Sequence, residues 1–205
     1  MYYSAKLKDM EIKMRTGLRK LTVDLEIMEA MAALMPAYIA SDGLFWNIGV
    51  GGMPTLTLGG YFMRQHRLLA LADLLSDSER VRLQTAVSTI SEAIAPQTVQ
   101  FERKVQQELL ARLRQWGEYL KDLQREHGDA VAGYKTAVEV RVMVTVLTEL
   151  LVDIPHRIDN GIINQINKDD QTLRHQWLIG EFVWATEWMR AYPSETYWWL
   201  YGRPA

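Results

Sequence analysis

The stretch from Ala30 to Met63 holds thirty-four residues and a single charge, Asp42. Six glycines (Gly43, Gly49, Gly51, Gly52, Gly59, Gly60) and two prolines (Pro36, Pro54) break it. A surface helix needs a polar face, and this stretch has none. It is expected to leave helical geometry over residues 41–60 as one long apolar, glycine-rich loop, kept dry by surrounding helices. Met53 is biased toward extended geometry by Pro54, and Ser41-Asp42-Gly43 reads as a helix stop. Loops of this length are uncommon in compact domains and often carry function.

Gly43 to Met63 is also an uncharged run of 21 residues, nominally enough to span a bilayer. Its glycines, Pro54, Asn47, Thr55 and Thr57 make a poor lipid-facing helix, because freed backbone groups find no partners in lipid. Burial inside the protein is the expectation, with no membrane contact.

Both sides of this segment read as helix. Leu18, Leu21, Leu25, Met28 and Met35 continue an apolar stripe that begins at Leu7, placing one long helix over residues 4–40. Pro36 is expected to end or kink it. Gly60–Leu75 forms the next helix. Ser76 and Glu79 then match a capping box, opening a helix that runs to about Ala95. Gln97–His127 has the cleanest period, with Leu109, Leu113, Trp116, Leu120 and Leu123 on one face. Gly128 reads as its stop and Asp129 as the next cap.

Val138, Val140, Val142, Val144 and Val146 alternate with strand periodicity. The segment is long and has no hairpin partner of similar character, and a lone strand cannot satisfy its own backbone. Ala130–Ile154 is therefore read as a central helix, apolar on most sides. A short helix is expected over His156–Asn167, and an aromatic helix over Gln171–Tyr192. The last 29 residues hold five of seven tryptophans and must dock on the bundle or on another subunit.

The expected fold is all-α: a single domain, residues 1–205, built as a bundle of five to seven helices. It divides into the N-terminal helix, the buried loop, a helical core over 61–154 and aromatic C-terminal helices over 156–205. With 48% hydrophobic and 23% charged residues the composition is that of a globular protein. No cysteine is present, which removes disulfides, thiolate nucleophiles and cysteine-bound clusters. The N-terminus lacks the order of a signal peptide, and a cytoplasmic location is expected.

Phosphate-binding, dinucleotide-binding, nucleophile-elbow and zinc-protease motifs are absent. No cofactor and no metal site are expected. Three constellations remain. Gly59-Gly60 leads into a helix carrying Arg64, His66 and Arg67, and backbone N–H groups at a helix start favour an anion. Arg64 and Arg67, three residues apart, could clamp a carboxylate or phosphate. A second group comprises charges inside apolar helices: Glu139, Arg141, Glu149, Asp153 and Glu181. Two carboxylates in such settings can divide acid and base roles. The third is the aromatic tail. Ordinary internal pairing or packing is the rival explanation in all three.

The balance leans away from an enzyme and toward a helical interaction protein, an adaptor or assembly subunit that meets a protein partner or a second copy of itself. The alternative is a protein or enzyme that binds a small anionic ligand between the 43–60 loop and the helical core, with Trp46, Arg64, Arg67 and Glu139, Glu149 or Glu181 lining the pocket. A third reading, nucleic-acid binding through basic residues such as Lys13, Arg15, Arg19 and Lys20, is disfavoured by the net charge of -2.

Overall fold

A computed structural model describes the backbone of residues 2–125, 127–152 and 159–205, and the side chains of these except residues 2–16, 127 and 152. It is an all-α multi-helix bundle with one small antiparallel ribbon. Among the described residues six α-helices follow in order: α1 (Tyr2–Ala40), α2 (Leu58–Ala70), α3 (Asp77–Ile94), α4 (Thr98–Arg125), α5 (His127–Val152) and α6 (Asn160–Arg174). The ribbon pairs β1 (Trp177–Phe182) with β2 (Tyr201–Pro204). Short 3-10 turns cover Ala72–Leu74, Ala95–Gln97, Thr186–Ala191 and Trp198–Leu200. Among the described residues, no helix is long and apolar enough to cross a membrane.

α5 is the hub. Val138, Val142, Val144 and Leu147 are fully buried, and Val140 and Val146 nearly so. α2, α4 and the C-terminal tail all pack on it. The alternation of valines therefore reflects burial on several faces and not a strand. Tertiary packing outweighs the modest helix propensity of β-branched residues. α1 supplies Leu21, Leu25, Met28, Met31 and Met35 to the same core. Pro36 lies inside α1, which continues to Ala40. Gly128, expected as a stop, sits in the first turn of α5.

The capping box is present. Ser76 Oγ accepts from Glu79 N, and Ser76 N donates to Glu79 Oε2. Glu79 also accepts from Thr22 Oγ1 at 2.8 Å, joining the start of α3 to α1.

Two expectations need correction. The loop, residues 41–57, is not buried throughout: Phe45 and Val50 are each 56% exposed. Its base is a short closure in which Trp46 and Leu56 exchange backbone hydrogen bonds at 3.1 and 2.8 Å. Its tip is a turn closed by Met53 N donating to Val50 O, with Gly52 at φ 81°. Glycine takes that left-handed angle without a steric penalty, so backbone bonds and not burial hold the tip.

The second concerns the aromatic C-terminal helix. α6 ends at Arg174, and Trp177–Phe182 forms a strand. Its partner is Tyr201–Pro204, a four-residue segment too short and irregular to show a period. Gly202 sits at φ 146°, where a Cβ would collide with the Leu178 carbonyl. The tail docks on the bundle. Tyr134 Oη donates to Trp199 O at 2.5 Å, and Trp184 Nε1 donates to Lys135 O at 3.1 Å. The helix expected from His156 falls partly outside the described residues; α6 begins at Asn160, capped by Asp159.

Candidate functional site

The helix start at Gly59-Gly60 does attract an anion, and the chain supplies it. Glu108 of α4 is fully buried. It accepts from Leu58 N at 2.7 Å and from Gly59 N at 3.1 Å. The N-cap Thr57 takes Gly60 N at 3.0 Å. Arg112, one turn along α4, donates to Glu108 at 3.2 Å and to Thr57 Oγ1 at 3.2 Å. Gly59 is required for this approach: a Cβ there would lie 2.9 Å from Glu108 Oε1 and 3.0 Å from Met143 Cβ. Burial pushes the Glu108 carboxyl up, and Arg112 opposes the shift. The backbone anion site is thus filled internally.

Arg64 and Arg67 also clamp a carboxylate, as their spacing suggests. It is Asp24, which interrupts the buried stripe of α1 between Leu21 and Leu25. Arg64 Nε lies 3.2 Å from Asp24 Oδ1, and Arg67 Nη1 2.5 Å from Asp24 Oδ2. Arg64 Nη1 donates to Gly60 O at 2.7 Å. Arg67 is 3% exposed. Its Nε donates to Tyr192 Oη at 3.0 Å, and its guanidinium lies 3.7 Å from the Trp188 ring centre.

Beside this clamp is a cavity of about 320 Å³. α1 contributes Arg19, Lys20, Val23 and Asp24, α2 contributes Met63, Arg64 and Arg67, α5 contributes Glu139, and the Thr186–Ala191 turn contributes Trp188. Arg19, Lys20 and Val23 are exposed and form the mouth. Three buried nitrogens of lining residues make no hydrogen bond: Arg64 Nε, which keeps its ion pair with Asp24, Arg67 Nη2 and Trp188 Nε1. Other unpartnered donors, such as Trp116 Nε1 and Trp199 Nε1, lie elsewhere in the core. Glu139 is half-buried and makes no hydrogen bond or ion pair among the described residues. Burial raises its pKa above the ordinary carboxylate range, and Arg67 and Arg64 draw it partly back.

The structure brings together Arg64, Arg67 and Glu139 of the sequence candidates. It does not bring the others to this cavity. Trp46 packs edge-on against Tyr38, with ring centres 6.3 Å apart. The cavity that Arg64 and Arg67 line has no residue of the 43–60 span on its wall among the described residues. His66 bonds Ala191 O at 2.7 Å through Nε2 and lies between the Tyr192 and Tyr197 rings. Arg141 forks onto Asp170 at 2.8 and 2.9 Å and stacks 3.8 Å from the Trp199 ring centre. That is tail anchoring. Glu149 and Glu181 are exposed. Asp153 lies outside the described residues.

Asp24 escaped the sequence reading, although one acid among Leu21, Leu25 and Met28 is a signal of internal pairing. Arg19 and Lys20 were legible only as part of a basic helix end. A larger groove, about 740 Å³, runs between α4 and α6, with Leu113, Leu120 and Ile162 below and charges of both signs at its rim. No group of three or more histidines, aspartates or glutamates among the described residues could hold a metal ion. No family model, no curated protein and no solved structure matches the chain.

Proposed function

We propose that this protein binds a small anionic molecule in the cavity between α1, α2, α5 and the Thr186–Ala191 turn, without transforming it. The observation that carries this reading is the orphan Arg67 Nη2. It is a buried guanidinium nitrogen with no acceptor, on a residue that lines a cavity with four cationic side chains (Arg19, Lys20, Arg64, Arg67) and two carboxylates (Asp24, Glu139). An unpaired buried donor costs about 1–3 kcal/mol, which an anionic acceptor would recover. Arg19 and Lys20 at the mouth favour anion entry.

Native mass spectrometry of the purified protein tests this, followed by thermal-shift titration with small carboxylates and inorganic phosphate. A co-purified acid, or a saturable rise in Tm that Arg19→Gln with Lys20→Gln weakens, supports the reading. No mass adduct and no saturable shift with any anion would overturn it.

A second reading, an adaptor or assembly subunit, is favoured by a separate observation. Ile179 on β1 is 90% exposed and its neighbour Leu178 47% exposed, and among the described residues β1 pairs only with β2. An apolar strand with a free edge invites partners. Sedimentation of the wild type and of Ile179→Lys checks this: a concentration-dependent oligomer that the substitution dissolves supports it, and a monomer at all concentrations removes self-association. Of the residues behind the nucleic-acid reading, Arg19 and Lys20 line the proposed cavity, while the side chains of Lys13 and Arg15 lie outside those described.

A further inference from the structure

We infer that the ligand of this cavity is amphoteric, carrying an anionic group for the arginine wall and a protonated amine for Glu139. The inference rests on the anion-binding reading above and narrows it to a class.

The two carboxylates on the cavity wall differ in what they do. Asp24 is taken up by Arg64 and Arg67 at 3.2 and 2.5 Å. Glu139, on the facing helix, has no such partner among the described residues. Its nearby guanidinium groups are engaged elsewhere: Arg64 by Asp24 and Gly60 O, Arg67 by Asp24 and Tyr192. The donors Arg67 Nη2 and Trp188 Nε1 and the acceptor Glu139, all on residues lining the same small cavity, therefore make no hydrogen bond among the described residues.

A plain anion would enter beside the Glu139 carboxylate and meet its repulsion, or hold it protonated. A plain cation would meet Arg19, Lys20, Arg64 and Arg67. A molecule with both charges satisfies both kinds of leftover group and leaves the Asp24 clamp intact. Val23 and Met63 give its carbon chain an apolar wall. The volume of about 320 Å³ lies at the small end of ligand cavities, which suits a compact amino acid. Nη2 is closed off from solvent, so binding includes a side-chain shift at the mouth, where Lys20 reaches across Trp188 at 5.9 Å.

The test uses matched probes on the full chain. Propionate, butyrate and valerate are titrated against the α-amino and ω-amino acids of the same carbon number, followed by amide chemical shifts. At least one amino acid should bind about tenfold tighter than its parent carboxylate, and Glu139→Gln should abolish that advantage, a difference of about 1.4 kcal/mol. Glu139→Asp, which keeps the charge, should retain part of it. Parent carboxylates binding as tightly as their amino derivatives would overturn the amphoteric assignment and leave the anion reading standing. An amino advantage that survives Glu139→Gln in a folded variant would overturn the role of Glu139. Absence of binding by either set, with inorganic phosphate also failing, would remove both readings.

Discussion

Lys104 and Glu108, one turn apart on α4, close the ends of two different helices. Lys104 Nζ donates to Ser41 O at 2.9 Å and Gly43 O at 2.6 Å, just past the C-terminus of α1. Glu108 accepts the first two N–H groups of α2. Each charge matches the sign that a helix dipole favours at that end. One helix thus fixes both ends of the excursion from residue 41 to 57.

Removing the acid should be severe. Glu108→Ala leaves two helix-start N–H groups and the Arg112 guanidinium without their buried partner, and is expected to cost about 3–5 kcal/mol. Glu108→Gln keeps one acceptor and should cost less. Urea unfolding followed by circular dichroism measures both. A loss under about 0.5 kcal/mol for the alanine variant would contradict the cap.

Gly59→Ala and Gly117→Ala should move stability in opposite directions. At Gly59 the added methyl meets Glu108 Oε1 and Met143 Cβ at 2.9 and 3.0 Å, and overpacking of this kind costs about 1–3 kcal/mol. At Gly117, inside α4, nothing lies within 4 Å, so the gain in helix propensity should stabilise by about 0.5–1 kcal/mol. The two melting temperatures, measured side by side, check the contrast.

Glu139 should make the native state less stable as pH rises. Burial raises its native pKa above that of the unfolded chain. Between those two values the native state holds the proton more firmly, so unfolding free energy falls with increasing pH. Wild type minus Glu139→Gln should therefore decline from acid toward neutral pH in urea titrations at fixed salt. A flat or rising difference would show that Glu139 is not desolvated.

Gly202→Ala should unzip the ribbon. The φ of 146° and the Leu178 carbonyl leave no room for a Cβ. Because Trp177 and Trp198 meet edge to face at 5.5 Å beside this ribbon, tryptophan fluorescence should shift to the red while helix content by circular dichroism holds. An unchanged spectrum would argue against this pairing.

Local signals were legible in the chain. Ser76 and Glu79 announced a helix start, and the structure has it. The i, i+3 spacing of Arg64 and Arg67 announced a carboxylate clamp. What spacing could not announce was the partner, Asp24, some forty residues earlier, because pairing across helices depends on how they pack. Lys104, Glu108 and Arg112 were readable only as one more balanced charge set on α4. Their burial emerges when α1 and α2 end beside them. Trp177–Phe182 looked helical because its ladder partner is a short turn-like segment at the far end of the tail. The valines of α5 alternate as a strand would, yet the segment's length and lack of a hairpin partner marked it as a helix, and a helix buried on several faces has no single stripe to betray its period.

The twin fastening by α4 separates the 41–57 excursion from the rest of the molecule. Its outer residues can be exchanged, lengthened or cut by a protease at Gly49–Gly52 while Ser41, Leu58 and the helices they adjoin stay seated. The bundle specifies where that span leaves and returns, and leaves its outer sequence free to vary.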